Sequence, residues 1–232
     1  MLPAPQITSD LARDRAACSP YWLHLRELLS RLPPKPKRNP AESAAAAANL
    51  AAARELRMRF LRAHASRVYD ELTAGRATFV RLDQLCLRAA AEFPGLVPST
   101  RELEAEARAA QRDKDGLEID QGLFLAHVLF DPGAGAHLCH AMLLPREDSR
   151  ARLSEFERSG GIDLGPVRLR RQGKAAVLTM SNPRFLNAED ETTLDAMETA
   201  VDLALLDPQT ELCVLRGGAI PHPNYAGRRV IG

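Results

Sequence analysis

The chain has 232 residues, of which 45% are hydrophobic and 26% charged, and its formal net charge is +1. This length allows a sizeable core and about 1.5 average domains, whereas the near-zero charge argues against bulk binding of nucleic acid. The sequence has neither an apolar run long enough for a membrane-spanning helix nor a signal-peptide pattern at its start, so we expect a cytoplasmic protein with no membrane partner.

The cysteines agree with an intracellular location. They lie far apart in the sequence and form no CxxC pair: Cys18, Cys86, Cys139 and Cys213. In a chain without a secretion signal, such spacing is typical of reduced thiols rather than of a disulfide framework.

Residues 1–160 are predicted to form an all-helical domain. Leucines within residues 11–29 suggest one or two helices, with Pro20 at a break or in a first turn. Four prolines within residues 32–40 then favour an extended linker, because proline does not continue a helix.

One long amphipathic helix follows that linker. After an alanine run at residues 44–48, apolar side chains recur at four-residue spacing through residues 56–72, and Gly75 ends the pattern. Three or four shorter helices complete the domain, and Ser99 with Glu102 forms a capping box at the start of one of them.

The sequence pattern changes near residue 160. Residues 167–170 alternate with period two, Gln172-Gly173 gives a tight turn and residues 176–180 form a second strand, so a β-hairpin is predicted. A helix then leads to a strand of the buried type at residues 212–216. This order of elements implies a right-handed crossover between parallel strands.

Three strands and one helix make only a small sheet domain. We expect its sheet to bury about one face and to keep a bare edge strand. The predicted fold class is α+β or α/β, with a helical N-terminal domain over residues 1–160 and, over residues 161–232, the incomplete start of a longer core.

One group of residues has the side chains of a metal site. His137, Cys139 and His140 lie close together, and positions 137 and 140 share a helix face. Because the sequence shows no clear third and fourth ligand nearby, ordinary helix residues are the favoured interpretation and no metal is expected.

Two loops that follow strands hold better candidates. Residues 187–190, Asn-Ala-Glu-Asp, lie between a strand and a helix predicted to start near residues 187–189, at the sheet end where α/β folds bind ligands. From the residues alone, Glu189 or Asp190 is more readily a helix cap than a ligand group. His222 lies in a proline-flanked loop, where a ligand group and an exposed histidine are equally good interpretations.

Several segments together resemble the crotonase (enoyl-CoA hydratase/isomerase) superfamily. They are VLTMSNP at residues 177–183, LNAED at 186–190, DP at 207–208, VLRGG at 214–218, HP at 222–223 and GRRV at 227–230. The helical part, with FLRAHA at 60–65 and FPGLVP at 93–98, resembles the extra N-terminal domain of a cofactor-independent dioxygenase branch. The resemblance covers nearly the whole chain and is clearest from about residue 50 onward.

This resemblance implies the truncated start of a ββα spiral core and an oxidoreductase without metal or organic cofactor. Its implied reaction converts (3,5-dihydroxyphenyl)acetyl-CoA and O2 to the arylglyoxylate and free CoA, in the biosynthesis of non-ribosomal peptide antibiotics. It implies that Glu189 is catalytic beside the phenol groups, that His222 binds substrate, and that Arg184, Leu186 and Ala188 contact CoA. It also implies a homo-oligomer, a trimer or hexamer.

The resemblance further implies that the oxyanion-hole donors of the family lie beyond Gly232, so we expect the 232-residue chain alone to be inactive. Two alternatives remain open. One is another crotonase-type acyl-CoA enzyme with hydratase or thioesterase chemistry. The other is a helical interaction module that keeps a remnant of an enzyme core.

Overall fold

The structure is a computed structural model that describes residues 3–219. It divides the chain into two compact units between Leu143 and Leu144. Each unit has its own buried hydrophobic cluster. Within the described residues, no helix combines the length and the apolar character that a membrane crossing requires.

The first unit is built from α-helices. They are α1 (Leu11–Ser30), α2 (Pro40–Leu72), α3 (Leu82–Glu92), α4 (Thr100–Ala107), α5 (Glu118–Phe130) and α6 (Pro132–Leu143). The predicted four-residue spacing on α2 is confirmed, since Leu56, Phe60, Val68 and Leu72 are all buried. The capping box at the start of α4 is also confirmed.

Helix α1 continues through Pro20, so the predicted break or first turn at this residue is wrong. Pro20 is exposed, and water can therefore satisfy the carbonyl group that loses its partner. The buried face of α1 carries Trp22, Leu25 and Leu29. Burial of these side chains offsets the local cost of the proline.

Helix α2 begins at Pro40, before the alanine run. Asn39 Oδ1 accepts a hydrogen bond from the Glu42 backbone at 2.9 Å, and the Glu42 carboxylate accepts one from the Asn39 backbone at 2.8 Å. The predicted linker is not extended throughout, because it contains a 3-10 turn at Lys35–Lys37. Arg38, next to that turn, holds Asp115 with two hydrogen bonds of 2.6 and 2.8 Å.

The second unit places two helices on one face of a four-stranded sheet. Its elements are α7 (Glu147–Ser159), β1 (Gly161–Asp163), β2 (Val167–Gln172), β3 (Ala175–Met180), α8 (Leu194–Leu206) and β4 (Leu212–Gly217). Strands β1, β2 and β3 are antiparallel neighbours, and β4 lies parallel to β3. The predicted hairpin and the helix-bridged parallel pair are both confirmed, whereas β1 is a strand that was not predicted.

The core of this unit explains why it begins before residue 160. Phe156 of α7 is fully buried in one cluster with Val167 and Leu178 of the sheet and Leu203 of α8. Helix α7 therefore packs with the sheet, and the predicted boundary of the helical domain at residue 160 lies too late. Periodicity identifies a helix but does not say which core the helix joins.

The other face of the sheet is open among the described residues. It carries Arg168, Arg170 and Arg216, and the edge strand β4 exposes Leu212 and Leu215. Residues 161–219 therefore bury about one face of the sheet and leave a bare edge strand, as expected.

All four cysteines are free. Burial raises the pKa of Cys18 to about 12 and that of Cys86 to about 11. These two thiols are therefore protonated at neutral pH and act as small apolar core residues.

Candidate functional site

The candidate site is the loop between β3 and α8, at the carboxyl ends of the two parallel strands. Strand β3 ends at Met180 and β4 at Gly217, and the two residues are paired in register. The loop first makes a 3-10 turn at Pro183–Phe185 and then passes through Leu186 and Asn187. In α/β sheets, ligands bind at this end of the strands.

The helix that follows starts later than the sequence predicted. Helix α8 begins at Leu194, not near residues 187–189. Leu186 and Asn187 have φ angles of 56° and 63°, in the left-handed region. Two successive residues of this kind do not fit a right-handed helix, and for leucine this conformation is strained. Strain of this kind is often stored at functional sites.

Asn187 ties this loop to the end of β4. Its side chain is 1% exposed, and its Oδ1 atom accepts a hydrogen bond from the Asn182 backbone at 2.9 Å. Its Nδ2 atom donates to the Gly218 carbonyl at 3.0 Å. The Gly218 amide in turn donates to the Met180 carbonyl, so the ends of both strands and the loop form one bonded unit.

The carboxylate of Asp190 is bonded within the loop. It accepts hydrogen bonds from the Thr192 hydroxyl at 2.6 Å, from the Thr192 backbone at 2.9 Å and from Asn182 Nδ2 at 3.0 Å. These bonds, the one from the Thr192 hydroxyl first, lower the pKa of Asp190. The N-cap of α8 is Thr193, so the prediction that Glu189 or Asp190 caps this helix is wrong.

The carboxylate of Glu189 is left free by the fold. Glu189 is exposed, and within residues 3–219 it takes part in no hydrogen bond or ion pair. The two adjacent acids therefore differ: Asp190 holds the loop, and Glu189 is available to a ligand. Spacing alone did not distinguish them, because the distinction depends on which carboxylate Thr192 and Asn182 bond.

The three residues expected to contact CoA lie on the same loop. Arg184 is exposed, and its guanidinium lies 5.1 Å from the centre of the half-exposed Phe185 ring. Within the described part of the chain, Arg184 has no acidic partner. Leu186 is partly buried and Ala188 is exposed. The same loop thus presents a cation, a small apolar surface and the free carboxylate.

The two remaining candidates from the sequence are His222 and the possible metal site that includes His137. His222 lies outside the described residues. His137 lies in α6 of the helical unit, where Nδ1 is 2.8 Å from the Tyr69 hydroxyl and Nε2 is 3.0 Å from the Arg76 carbonyl. Its ring also stacks on Phe79. Both ring nitrogens are therefore engaged, and within residues 3–219 no group of three or more metal-binding side chains occurs.

Comparison with known proteins finds an extensive similarity. No protein-family model matches the chain. Over 227 residues, which are 98% of the chain, the sequence is 43% identical to (3,5-dihydroxyphenyl)acetyl-CoA 1,2-dioxygenase of Amycolatopsis orientalis. The chain spans about half of that relative, 52% of its length. The resemblance to a dioxygenase is thus confirmed: both units of this chain are similar to part of a (3,5-dihydroxyphenyl)acetyl-CoA 1,2-dioxygenase.

Proposed function

We propose that this chain is part of a crotonase-type dioxygenase that converts (3,5-dihydroxyphenyl)acetyl-CoA and O2 to the arylglyoxylate and free CoA. The observation that carries the proposal is the identity of 43% over nearly the entire chain, including the extra helical unit. Independence from metal and organic cofactors, a role in non-ribosomal peptide antibiotic biosynthesis and a trimeric or hexameric assembly belong to the same proposal.

In this proposal Glu189 acts on the aromatic ring of the substrate. Its free carboxylate accepts a hydrogen bond from a phenol hydroxyl of the substrate, and such a charge-assisted bond is stronger than a neutral one. The bond raises the electron density on the ring, which makes the substrate carbanion a better electron donor to O2. The free carboxylate on the loop at the strand ends supports this assignment.

The same loop is proposed to hold the CoA moiety. Arg184 is an exposed cation without an acidic partner among the described residues, and a guanidinium forms strong bonds to phosphate. Leu186 and Ala188 supply the apolar surface beside it. His222 is proposed to contact the substrate as well.

Release of the CoA thiol with and without oxygen tests the proposed reaction class. The complete protein, of which this chain is proposed to be a part, should release free thiol from (3,5-dihydroxyphenyl)acetyl-CoA in air. The release of thiol should stop when O2 is removed. A thioesterase would release thiol equally well without O2, and a hydratase would release none. Either result would replace the dioxygenase proposal by one of the other acyl-CoA activities.

A further inference from the structure

Asn182 lies at the start of the loop between β3 and α8 and is only 8% exposed. An asparagine in front of a turn commonly bonds the backbone of that turn through its side chain. Asn182 makes no such bond to the 3-10 turn at Pro183–Phe185, which it precedes. Its side-chain amide instead reaches the far side of the loop. The turn therefore does not account for this side chain.

Both hydrogens of the Asn182 amide are bonded beyond that turn. Nδ2 donates to the Ala188 carbonyl at 2.9 Å and to the Asp190 carboxylate at 3.0 Å. A carbonyl and an ionised carboxylate only accept hydrogen bonds, so the NH2 group faces them and the Oδ1 atom does not. One buried amide thus holds the residue before Glu189 and the residue after it.

The two peptide groups that flank Glu189 are both fixed. Asn182 holds the carbonyl of the peptide that joins Ala188 to Glu189. The Thr193 hydroxyl accepts a hydrogen bond of 3.0 Å from the amide of the next peptide, which joins Glu189 to Asp190. Since the planes of these peptides set the φ and ψ angles of Glu189, its backbone is fixed. Its carboxylate stays unbonded among the described residues.

We propose that Asn182 is a positioning residue that orients Glu189 toward a phenol group of the substrate. The inference rests on the proposed function, in which Glu189 accepts the phenol hydrogen bond. Such a bond depends on distance and direction. A glutamate on a loosely held backbone samples many directions, whereas a fixed backbone limits the carboxylate to the few positions that its side-chain rotamers allow.

A double-mutant cycle separates positioning from a purely structural role. In the complete protein, Asn182→Ala should lower kcat/KM for (3,5-dihydroxyphenyl)acetyl-CoA at least about fivefold, the effect of losing one ordinary hydrogen bond. In a Glu189→Ala background the same change should cost less than about twofold, because no carboxylate is left to orient. Equal losses in the two backgrounds would mean that Asn182 does not act through Glu189 and would overturn the proposal.

The same cycle distinguishes a failure of this inference from a failure of the proposed function. If Glu189→Ala alone leaves kcat/KM unchanged, Glu189 has no part in the mechanism, and both its proposed role and the inference are wrong. If Glu189→Ala lowers kcat/KM but Asn182→Ala does not, only the positioning role of Asn182 is wrong.

Thr192→Val is the matched control for Asn182→Ala. Thr192 is exposed, and its hydroxyl donates to the same Asp190 carboxylate at 2.6 Å. It holds neither of the peptides that flank Glu189, so this variant should leave kcat/KM close to the wild-type value. A loss as large as that of Asn182→Ala would show that any weakened bond to Asp190 slows the reaction, contrary to the proposal.

A structure of the unmodified complete protein makes the test independent of how well the variants fold. Crystals are grown under nitrogen with (3,5-dihydroxyphenyl)acetyl-CoA, because the proposed reaction consumes O2. We expect the Asn182 amide to bond the Ala188 carbonyl and the Asp190 carboxylate, with the Glu189 carboxylate at hydrogen-bond distance from a phenol oxygen. A phenol group held by Glu189 while the Asn182 amide is turned away from both partners would overturn the positioning role.

Discussion

At the scale of single residues, the candidate site depends on how two neighbouring carboxylates are used. Asp190 accepts three hydrogen bonds within its own loop, whereas Glu189 accepts none from the described residues. Removal of the Glu189 charge should therefore have a different consequence from removal of the Asp190 charge. Glu189 should matter for turnover, and Asp190 should matter for the structure of the loop.

Glu189→Gln is expected to lower kcat/KM of the native protein about 10- to 100-fold. This is the rate equivalent of one charge-assisted hydrogen bond, about 1.5–3 kcal/mol. Thermal stability should not change, because Glu189 is exposed and unbonded within the described chain. Steady-state kinetics and a melting curve check both statements. Wild-type kinetics would remove Glu189 from the proposed mechanism.

Asp190→Asn is the matched control for that variant. It weakens the bonds from Thr192 and Asn182 and should lower the melting temperature of the second unit. A stable Asp190→Asn protein would contradict the structural role given to this carboxylate.

Asn187→Ala should destabilise the second unit by about 1–3 kcal/mol. It removes the side-chain bonds to the Asn182 amide and the Gly218 carbonyl and leaves these buried groups unsatisfied. Leu186→Gly is the control: glycine adopts the left-handed conformation without strain, and this variant removes no side-chain hydrogen bond. Urea unfolding of both variants measures the difference. Equal stability of Asn187→Ala and wild type would show that Asn187 does not tie the strand ends together.

At the scale of elements, Asp207 connects the end of α8 to strand β2. Arg171 Nε and Nη2 lie 2.8 and 3.0 Å from its two carboxylate oxygens. Burial by itself would raise the pKa of Asp207, but the hydrogen bonds from Thr210, Gln209 and Arg171 outweigh it and lower that pKa. The carboxylate is therefore kept ionised in a position that water does not reach.

This shift predicts that the second unit loses stability in acid. The folded-state pKa of Asp207 lies below its unfolded value of about 3.9, so the stabilisation is complete above that value. It is lost as the pH falls through the folded pKa, because the unfolded chain binds more protons there.

Asp207→Asn should remove about 3 kcal/mol at neutral pH, the usual cost of breaking a buried pair. It should also flatten the pH dependence of stability below pH about 4. Urea unfolding of wild type and variant at several pH values checks this. Parallel curves for the two proteins would show that Asp207 does not cause the acid loss.

Gly95 sets the packing of the helical unit. Its φ angle is +87°, and an added Cβ would lie 2.7 Å from Cβ of Trp22. Its carbonyl also accepts hydrogen bonds from Arg57 Nε and Nη2. Gly95→Ala should destabilise the first unit by more than about 1 kcal/mol, since strain and overpacking combine. Gly75→Ala, with a similar φ and open space, separates strain from overpacking. If the melting curves of the two variants coincide, overpacking at Gly95 is refuted.

The sequence predicted most elements of the second unit, but it predicted neither the start of α8 nor the presence of β1. The hairpin followed from period-two alternation around Gln172-Gly173, and the parallel pair followed from an intervening helix. The start of α8 did not follow, because no local preference predicts Leu186 in a left-handed conformation. Strand β1, with three residues, is too short to show an alternation.

The sequence likewise predicted where the candidate site lies, but not what each of its residues does. Residues 187–190 stood out between a strand and a helix, and the structure places the loop that contains them at the strand ends. The separate roles of Glu189 and Asp190, and the tie made by Asn187, depend on contacts with Asn182 and Gly218. Such contacts across a loop leave no periodic trace in the sequence.

At the scale of the whole molecule, two units with separate cores share one long similarity to a dioxygenase. The relative is about twice as long as this chain. We therefore propose that residues 1–232 supply Glu189, His222 and the CoA-contacting loop, and that further parts of a complete protein supply the oxyanion-hole donors.

The central claim is tested most directly by an oxygen electrode. The native protein, supplied with (3,5-dihydroxyphenyl)acetyl-CoA and treated with a metal chelator, should consume one O2 for each free CoA released, and the 232-residue chain alone should consume none. Release of CoA by the native protein without uptake of O2 would contradict the dioxygenase assignment. Uptake by the isolated chain would contradict the claim that its site is incomplete.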